Sequence, residues 1–207
     1  MPYPLICRIS FVALHFLWVK PISLFAQSHT ELHQFDACIN AYSNSNQHDS
    51  FLYFIGLRNE MAKKADSLEL WAWSQYKTQR FFADDSKEAL RLIRETFATK
   101  WRKAVGALES EPFLYLLVHQ ANHFSREGRI LQSLQSYQDA IIIYEQFRYP
   151  DFDIVESIFK PLGNNYIRLG DNDKAIVVFQ KALSECSDTT SLAGLYCDIG
   201  IAYWNKG

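Results

Sequence analysis

Residues 163–182, GNNYIRLGDNDKAIVVFQKA, contain the pattern that decides the fold. The small residue Gly163 is followed three positions later by the aromatic Tyr166, and four positions after that by Gly170. Beyond this glycine, small and aromatic residues return at helical spacing. They are Ala175, Phe179 and Ala182. The order predicts two helices joined by a tight turn at Gly170.

The same pattern occurs twice more along the chain. A shift of 42 positions places residues 121–140, ANHFSREGRILQSLQSYQDA, over residues 163–182, and a shift of 37 positions aligns a later copy. The small, aromatic and glycine positions are Ala121, Phe124 and Gly128 in the earlier copy, and Gly200, Tyr203 and Gly207 in the later one. Three copies indicate an internal repeat.

Each position of the repeat has a physical role. A small side chain lets a neighbouring helix approach closely, and an aromatic ring fills the space between paired helices. Glycine ends the first helix because the left-handed backbone conformation is cheap only for glycine. A single helical pair cannot cover its own apolar faces, so neighbouring pairs must stack. The sequence therefore predicts an all-α fold, an α-solenoid of helix-turn-helix repeats.

These positions resemble the tetratricopeptide repeat family, in which small, aromatic, Gly, Ala, aromatic and Ala residues follow one another over about 34 residues. Residues 156–189 match the pattern completely, and residues 114–147 depart from it by carrying Ser133 in place of an Ala. Residues 193–207 supply a first helix without its second. The resemblance therefore implies a repeat domain over residues 108–207.

Two features depart from the family pattern. Spacings of 42 and 37 residues exceed the usual unit, so the linkers between units are extended. Pro161 falls inside a predicted first helix, where it removes a backbone donor and should introduce a kink.

Upstream, over residues 27–107, the repeat pattern fades but helical periodicity continues, which predicts degenerate helical repeats. Helices are expected over Thr30–Tyr42, Asp49–Lys64, Ser67–Phe82 and Asp85–Trp101. Residues 67–101 are either a degenerate unit or a helical pair outside the repeat. Further on, Ser110 is expected to cap a helix whose first turn tolerates Pro112.

The amino terminus has the order of a secretory signal peptide. Arg8 provides positive charge, residues 9–19 are almost entirely apolar, and Ala26 is a small residue at a plausible cleavage point. Residues 1–26 are thus interpreted as a signal peptide, which predicts a periplasmic or secreted protein. If it is not cleaved, the segment is an anchor or an apolar helix packed on the domain, and a protein without export is cytoplasmic.

Composition and motifs exclude several classes. The formal charge of −2 argues against a nucleic-acid partner, which requires a basic face. Phosphate-binding glycine loops, GxSxG and Cys-x-x-Cys are absent from the sequence, so neither an enzyme nor a bound cofactor is expected. His119 and His123 share a helix face, but a third metal ligand is missing, and they are interpreted as polar surface residues rather than a metal site. Cys186 and Cys197 are close enough to pair, yet buried apolar positions are favoured for both.

A candidate binding site follows from polar residues that recur between repeats. Asn122 and Arg126 recur as Asn164 and Arg168 in the same register, and Lys160 lies nearby. First helices line the concave groove of tetratricopeptide repeats, so the resemblance places these five residues there. Asn amides suit the backbone of an extended peptide, and Arg can grip a carboxylate through two hydrogen bonds. The alternative is that both polar faces are solvated and recur because the repeats are duplicates.

The predicted function is a scaffold that binds an extended or acidic peptide, or a partner domain, in this groove. Alternatively, the chain is the sensory or docking amino-terminal region of a larger enzyme, either a sensor kinase or a caspase-like protease of the CHAT type. Small-molecule binding would require a closed apolar pocket. Residues 1–207 are expected to be part of a longer repeat protein, since Leu195, Ile199, Tyr203 and Trp204 would otherwise lie uncovered.

Overall fold

The computed structural model describes residues 24–43, 47–99 and 103–207, and every regular element in them is a helix. The signal-peptide interpretation falls almost entirely outside these residues. The helices are α1 (Leu24–Ser43), α2 (His48–Lys64), α3 (Leu68–Phe81), α4 (Ser86–Ala98), α5 (Ala107–Arg126), α6 (Ile130–Phe147), α7 (Lys160–Arg168), α8 (Asn172–Glu185) and α9 (Thr189–Lys206). None of them is both long and apolar enough to cross a bilayer.

Consecutive helices form antiparallel pairs that stack on one another. The pairs are α1 with α2, α3 with α4, α5 with α6, and α7 with α8, while α9 packs on α8 and α7. Neighbouring pairs meet through contacts of α2 with α3, α3 with α5, α4 with α5, and α6 with α7. The prediction of an all-α solenoid is confirmed.

The turns within the α5–α6 and α7–α8 pairs have the left-handed glycine conformation that was predicted. Gly128 and Gly170 have φ angles of 75° and 77°. After each glycine the next backbone N–H donates back to the carbonyl of the repeat's aromatic residue, from Arg129 to Phe124 at 2.8 Å and from Asp171 to Tyr166 at 2.9 Å. These bonds satisfy carbonyls that the helix end leaves without a partner.

The close approach predicted at Gly163 is present. A Cβ built on this residue would lie 2.3 Å from Cε1 of Phe179, whose side chain is fully buried. Gly200 occupies the equivalent position of the last unit but has no atom within 4 Å of such a Cβ. The close contact therefore depends on a second helix packed against the first.

The start of α5 differs from the prediction. The helix begins at Ala107 with Gly106 as its N-cap, so Ser110 lies inside the helix and Pro112 lies in its second turn. The Glu109 carboxylate accepts the Val105 N–H at 2.7 Å and provides the local side-chain bond that Ser110 was expected to supply. A carboxylate near a helix start also favours the helix dipole.

The kink expected at Pro161 takes the form of a π-turn. Residues Val155–Phe159 form one turn of π-helix, and α7 continues directly from it with Pro161 in its first turn. Proline has no N–H for the carbonyl four residues earlier, and its ring crowds that carbonyl. A wider turn immediately before the proline relieves the crowding.

The last helix is better covered than expected at one end and exposed at the other. Leu195 is fully buried in the main apolar core and Ile199 is half-buried, which corrects that part of the prediction. Tyr203 and Trp204 are 53% and 86% exposed.

The cysteines also depart from the buried positions predicted for them. Cys197 is exposed and Cys186 is half-buried, and the two are not joined by a disulfide. Cys186 instead lies at the end of α8, where its thiol donates to the Asp188 carbonyl at 3.5 Å.

Candidate functional site

The first helices of three consecutive pairs enclose an open pocket of about 470 Å³. This volume is in the range of binding sites for small ligands and side chains. Helix α3 contributes Tyr76, and α5 contributes Tyr115, Val118, His119 and Asn122. The segment through the π-turn into α7 contributes Phe152, Glu156, Ser157, Lys160, Pro161 and Asn164.

One wall of the pocket is aromatic. The ring centroids of Tyr76 and Tyr115 are 5.4 Å apart, and those of Tyr115 and Phe152 are 5.3 Å apart. Trp73 extends the wall, with its ring 5.5 Å from that of Tyr115. The sequence interpretation did not identify Tyr76, Tyr115 or Phe152 as part of a site. Tyr76 lies on α3, Tyr115 on α5 and Phe152 in the loop after α6, so helical spacing within one repeat does not reveal them.

A hydrogen bond from a buried tyrosine fixes the orientation of the Asn122 side chain. The buried Tyr137 hydroxyl donates to Asn122 Oδ1 at 2.5 Å, and burial raises the pKa of Tyr137, so the hydroxyl keeps its proton. With its oxygen engaged, Asn122 has its two amide N–H donors available to a ligand. Asn164 lies 42 positions later, at the equivalent place on α7, and is exposed.

Lys160 is paired inside the same pocket. Its ammonium donates to both carboxylate oxygens of Glu156, at 2.8 and 2.9 Å. The hydrogen bond with Lys160 lowers the pKa of Glu156, and the same bond raises the pKa of Lys160, so both are charged at neutral pH. Ser191 of α9 also donates to Glu156, at 2.9 Å. The pair brings no net charge to the pocket.

The histidines of α5 are not the polar surface residues that were predicted. His123 is 2% exposed, and its two ring nitrogens lie 3.1 Å from Gln79 Nε2 and 3.0 Å from Ser86 Oγ. His119 is half-buried beside Tyr76, with its Nε2 3.5 Å from the tyrosine hydroxyl. Both imidazoles point toward the preceding helical pair, whose position a sequence pattern on α5 does not show.

Burial, together with the smaller effects of the nearby His123, Arg80 and Arg126, lowers the pKa of His119 to about 4. The ring is therefore neutral at pH 7. Within the described residues, no group of three His, Cys, Asp or Glu side chains is arranged to hold a metal.

The two recurring arginines connect successive repeats instead of lining the pocket. Arg168 Nη1 donates to the Ser125 carbonyl at 3.1 Å and to its Oγ at 2.7 Å. Arg126 Nη1 donates to the Ala83 carbonyl at 3.4 Å. Each bond spans 43 residues and ends at the carboxyl-terminal turn of the preceding first helix. Ala83 thus lies as far before Arg126 as Ser125 lies before Arg168. The interpretation of residues 67–101 as a degenerate unit stays a prediction.

A buried polar chain joins the same two repeats. Ser125 Oγ donates to Asn165 Oδ1, and Asn165 Nδ2 donates to Ser133 Oγ, both at 2.8 Å. Ser133 in turn donates to the Ala121 carbonyl at 2.7 Å. The hydroxyl explains why a Ser is accepted where the repeat pattern has an Ala, because it is fully hydrogen-bonded in the core.

The structure thus divides the five predicted site residues into two groups. Asn122, Lys160 and Asn164 line one pocket, whereas Arg126 and Arg168 lie outside it and form the connections between repeats. Sequence reasoning found the asparagines and arginines because they recur at a fixed spacing, and Lys160 because it lies one helical turn before Asn164.

Comparison with known proteins gives a match to one of these repeats. A family model for the tetratricopeptide repeat matches residues 162–189. Among solved structures, the chain is similar to NprR in its crystal structure with the cognate peptide NprX, with 13% sequence identity and a TM-score of 0.47. That match covers 80% of this chain and 46% of the NprR chain, so the chain spans less than half of that protein's length. No curated protein matches the chain.

Proposed function

Because residues 162–189 are a tetratricopeptide repeat and the first helices around it enclose an open pocket, we propose that this protein binds an extended peptide segment of a partner protein. The observation that supports this most is the placement of Asn122 and Asn164. They lie one repeat apart on α5 and α7, and both line the same pocket.

Two amides at this spacing suit the backbone of an extended peptide. A peptide in extended conformation exposes carbonyls and N–H groups that must be paired when water is excluded. Asn122 supplies donors whose orientation the Tyr137 hydroxyl holds, so little ordering is needed when a ligand arrives.

The acidic preference expected from the sequence has less support. The guanidinium groups of Arg126 and Arg168 are engaged with backbone carbonyls, and Lys160 is paired with Glu156. The proposal therefore rests on recognition of the peptide backbone and not on a peptide carboxylate.

The test is a double variant of the two asparagines. A random twelve-residue peptide library is selected on the 207-residue chain, and the affinities of the recovered peptides are measured by calorimetry. The variant Asn122→Ala/Asn164→Ala should bind them about 10- to 100-fold more weakly, since each lost hydrogen bond is worth on the order of 1 kcal/mol. Asn205→Ala, at an exposed position of α9, is the matched control and should bind normally. If the recovered peptides bind the double variant and the parent chain with equal affinity, the proposal that the two asparagines line the binding groove is refuted.

The alternative is that the same groove docks a partner for a larger enzyme. The sensor-kinase and CHAT-type interpretations use this pocket in the same way, so the asparagine variants do not separate them from a plain scaffold. Sequencing the DNA that follows the codon for Gly207 separates them, because a kinase or a caspase-like domain encoded there would favour the enzyme.

We also propose that the protein is exported, on the basis of residues 1–26. Helix α1 begins at Leu24, so cleavage after Ala26 would leave all but its first three residues in the mature protein. Amino-terminal sequencing of the protein purified from its natural source should start at Gln27. A mature chain that retains residues 1–26 would contradict cleavage.

A further inference from the structure

The pocket also indicates which side chain of a bound peptide it accepts, an inference that rests on the proposed peptide-binding function. We propose that the pocket takes an uncharged aromatic side chain of the peptide, and that the Glu156–Lys160 pair is the feature that excludes charged ones.

The wall presents rings in the geometry that aromatic groups prefer. The Tyr115 ring meets Phe152 at 81°, edge to face, and meets Tyr76 at 52°. Tyr76 and Tyr115 are half-buried, so part of each ring remains accessible, while Phe152 is buried. A further ring can add to this array by edge-to-face or offset contact, which contributes about 0.5–1.5 kcal/mol beyond the burial of its area.

The charges of the pocket cancel. Lys160 and Glu156 are within 2.8 Å of each other, and the neutral His119 ring adds none. A charged side chain entering this pocket would lose its hydration and find both candidate counter-ions already paired. An uncharged aromatic side chain avoids that cost.

Carboxylates near the pocket do not change this balance within it. Glu111 and Asp151 lie close enough to Tyr115 to raise its pKa, after the larger effect of burial, and Asp198 and Asp153 add to the rise in the pKa of Lys160 that its bonded partner causes. None of these four carboxylates lines the pocket. They would favour a lysine or an arginine on the peptide, so such a residue at the anchor position is the outcome that most directly opposes the proposal.

The experiment repeats the library selection on the full chain and on two variants that charge the pocket. Glu156→Gln leaves Lys160 unpaired, and Lys160→Gln leaves Glu156 unpaired. Glu156 is exposed and Lys160 is half-buried, and Gln keeps most of the length of either side chain, so either change is compatible with folding. Glu145→Gln breaks the exposed pair between Glu145 and Lys181, outside the pocket, and serves as the control.

We expect peptides selected on the parent chain to share a Phe, Tyr or Trp at one aligned position. Replacing that residue with Glu should weaken binding to the parent chain, and Glu156→Gln should recover roughly tenfold of the loss. Replacement with Lys should be recovered in the same way by Lys160→Gln. The control variant should recover neither peptide.

The results separate this inference from the proposed function. Selected peptides that depend on Asn122 and Asn164 but carry a charged residue at the aligned position, or that show no recovery with the two pocket variants, overturn the inference alone. A selection without any peptide that depends on the two asparagines overturns the proposed function, and the inference with it.

Discussion

At the scale of single residues, Gly163 and Gly200 hold the same repeat position in different surroundings. A methyl group on Gly163 would lie 2.3 Å from the fully buried ring of Phe179, whereas one on Gly200 meets open space. Gly163→Ala should therefore lower the free energy of unfolding by about 1–3 kcal/mol through overpacking. Gly200→Ala should raise it by about 0.5–1 kcal/mol, because an alanine in the interior of a helix loses less backbone entropy on folding than a glycine does. Urea denaturation measures both, and equal stabilities of the two variants would contradict the argument.

His119 predicts how stability depends on pH. Its pKa falls from 6.5 to about 4 on folding, so the unfolded chain binds more protons between these values and stability is lost as the pH falls from about 6.5 to 4. The shift corresponds to about 3 kcal/mol at most. Burial is the main reason that the pKa values of Glu69 and Glu111 are raised. Protonation of these two carboxyls at low pH therefore favours the folded state, which opposes the loss of stability caused by His119.

The variant His119→Gln should have a flatter profile of unfolding free energy over this range. Denaturant titrations at half-unit pH steps compare it with the parent chain. A decline of unchanged slope in the variant would show that another group carries the pH dependence.

At the scale of helices, the recurring arginines act as connections between successive first helices. Arg168 bonds to both the carbonyl and the hydroxyl of Ser125, at the end of α5 where the helix dipole favours a cation. Since the side chain is exposed, Arg168→Ala should cost about 1 kcal/mol of unfolding free energy. Arg94→Ala, at an exposed position of α4, is the matched control and should leave stability unchanged.

A double variant of the two arginines distinguishes a role in binding from a role in stability. If the two arginines gripped a peptide carboxylate, as the sequence interpretation has it, an Arg126→Ala/Arg168→Ala protein would lose partner binding and keep its helicity. The connections between repeats imply that the double variant will also be less stable in denaturant. If it binds peptide weakly but unfolds at the parent denaturant concentration, the arginines contact the ligand after all.

The π-turn before Pro161 shows how much of a helix distortion the sequence predicts. Pro161 predicted a distortion because proline cannot donate the helical hydrogen bond, and the distortion lies in Val155–Phe159, which ends two residues before the proline. The form of the distortion depends on packing. Ile158 and Phe159 of this turn are fully buried in the main core, and the wider turn lets both reach it.

At the scale of the whole molecule, the far side of α9 is an exposed apolar surface. Ile201 is 51% exposed and Trp204 is 86% exposed, one helical turn apart. The variant Ile201→Gln/Trp204→Gln should bind less of the dye ANS and show less association with rising concentration. Leu131→Gln, a similarly exposed but isolated position on α6, should change neither. A parent chain that is monomeric at all concentrations and binds no ANS would contradict this.

What the sequence by itself determined is the local structure. The helical pairs, the turns at Gly128 and Gly170 and the series of repeats follow from spacing and backbone preference within about 40 residues. The recurring asparagines were identified for the same reason, because duplication keeps equivalent residues at constant separation, and Lys160 was placed with them because it lies one helical turn before Asn164.

Only the tertiary structure decided which side chains meet across repeats. Tyr76 meets His119, Gln79 meets His123, and Arg168 meets Ser125, in each case over 43 or 44 residues. Whether such residues touch depends on the rotation and shift between successive helical pairs, which the packing of whole helices sets. That rotation turned the arginines toward the preceding repeat and brought tyrosines, asparagines and a neutral ion pair into one pocket.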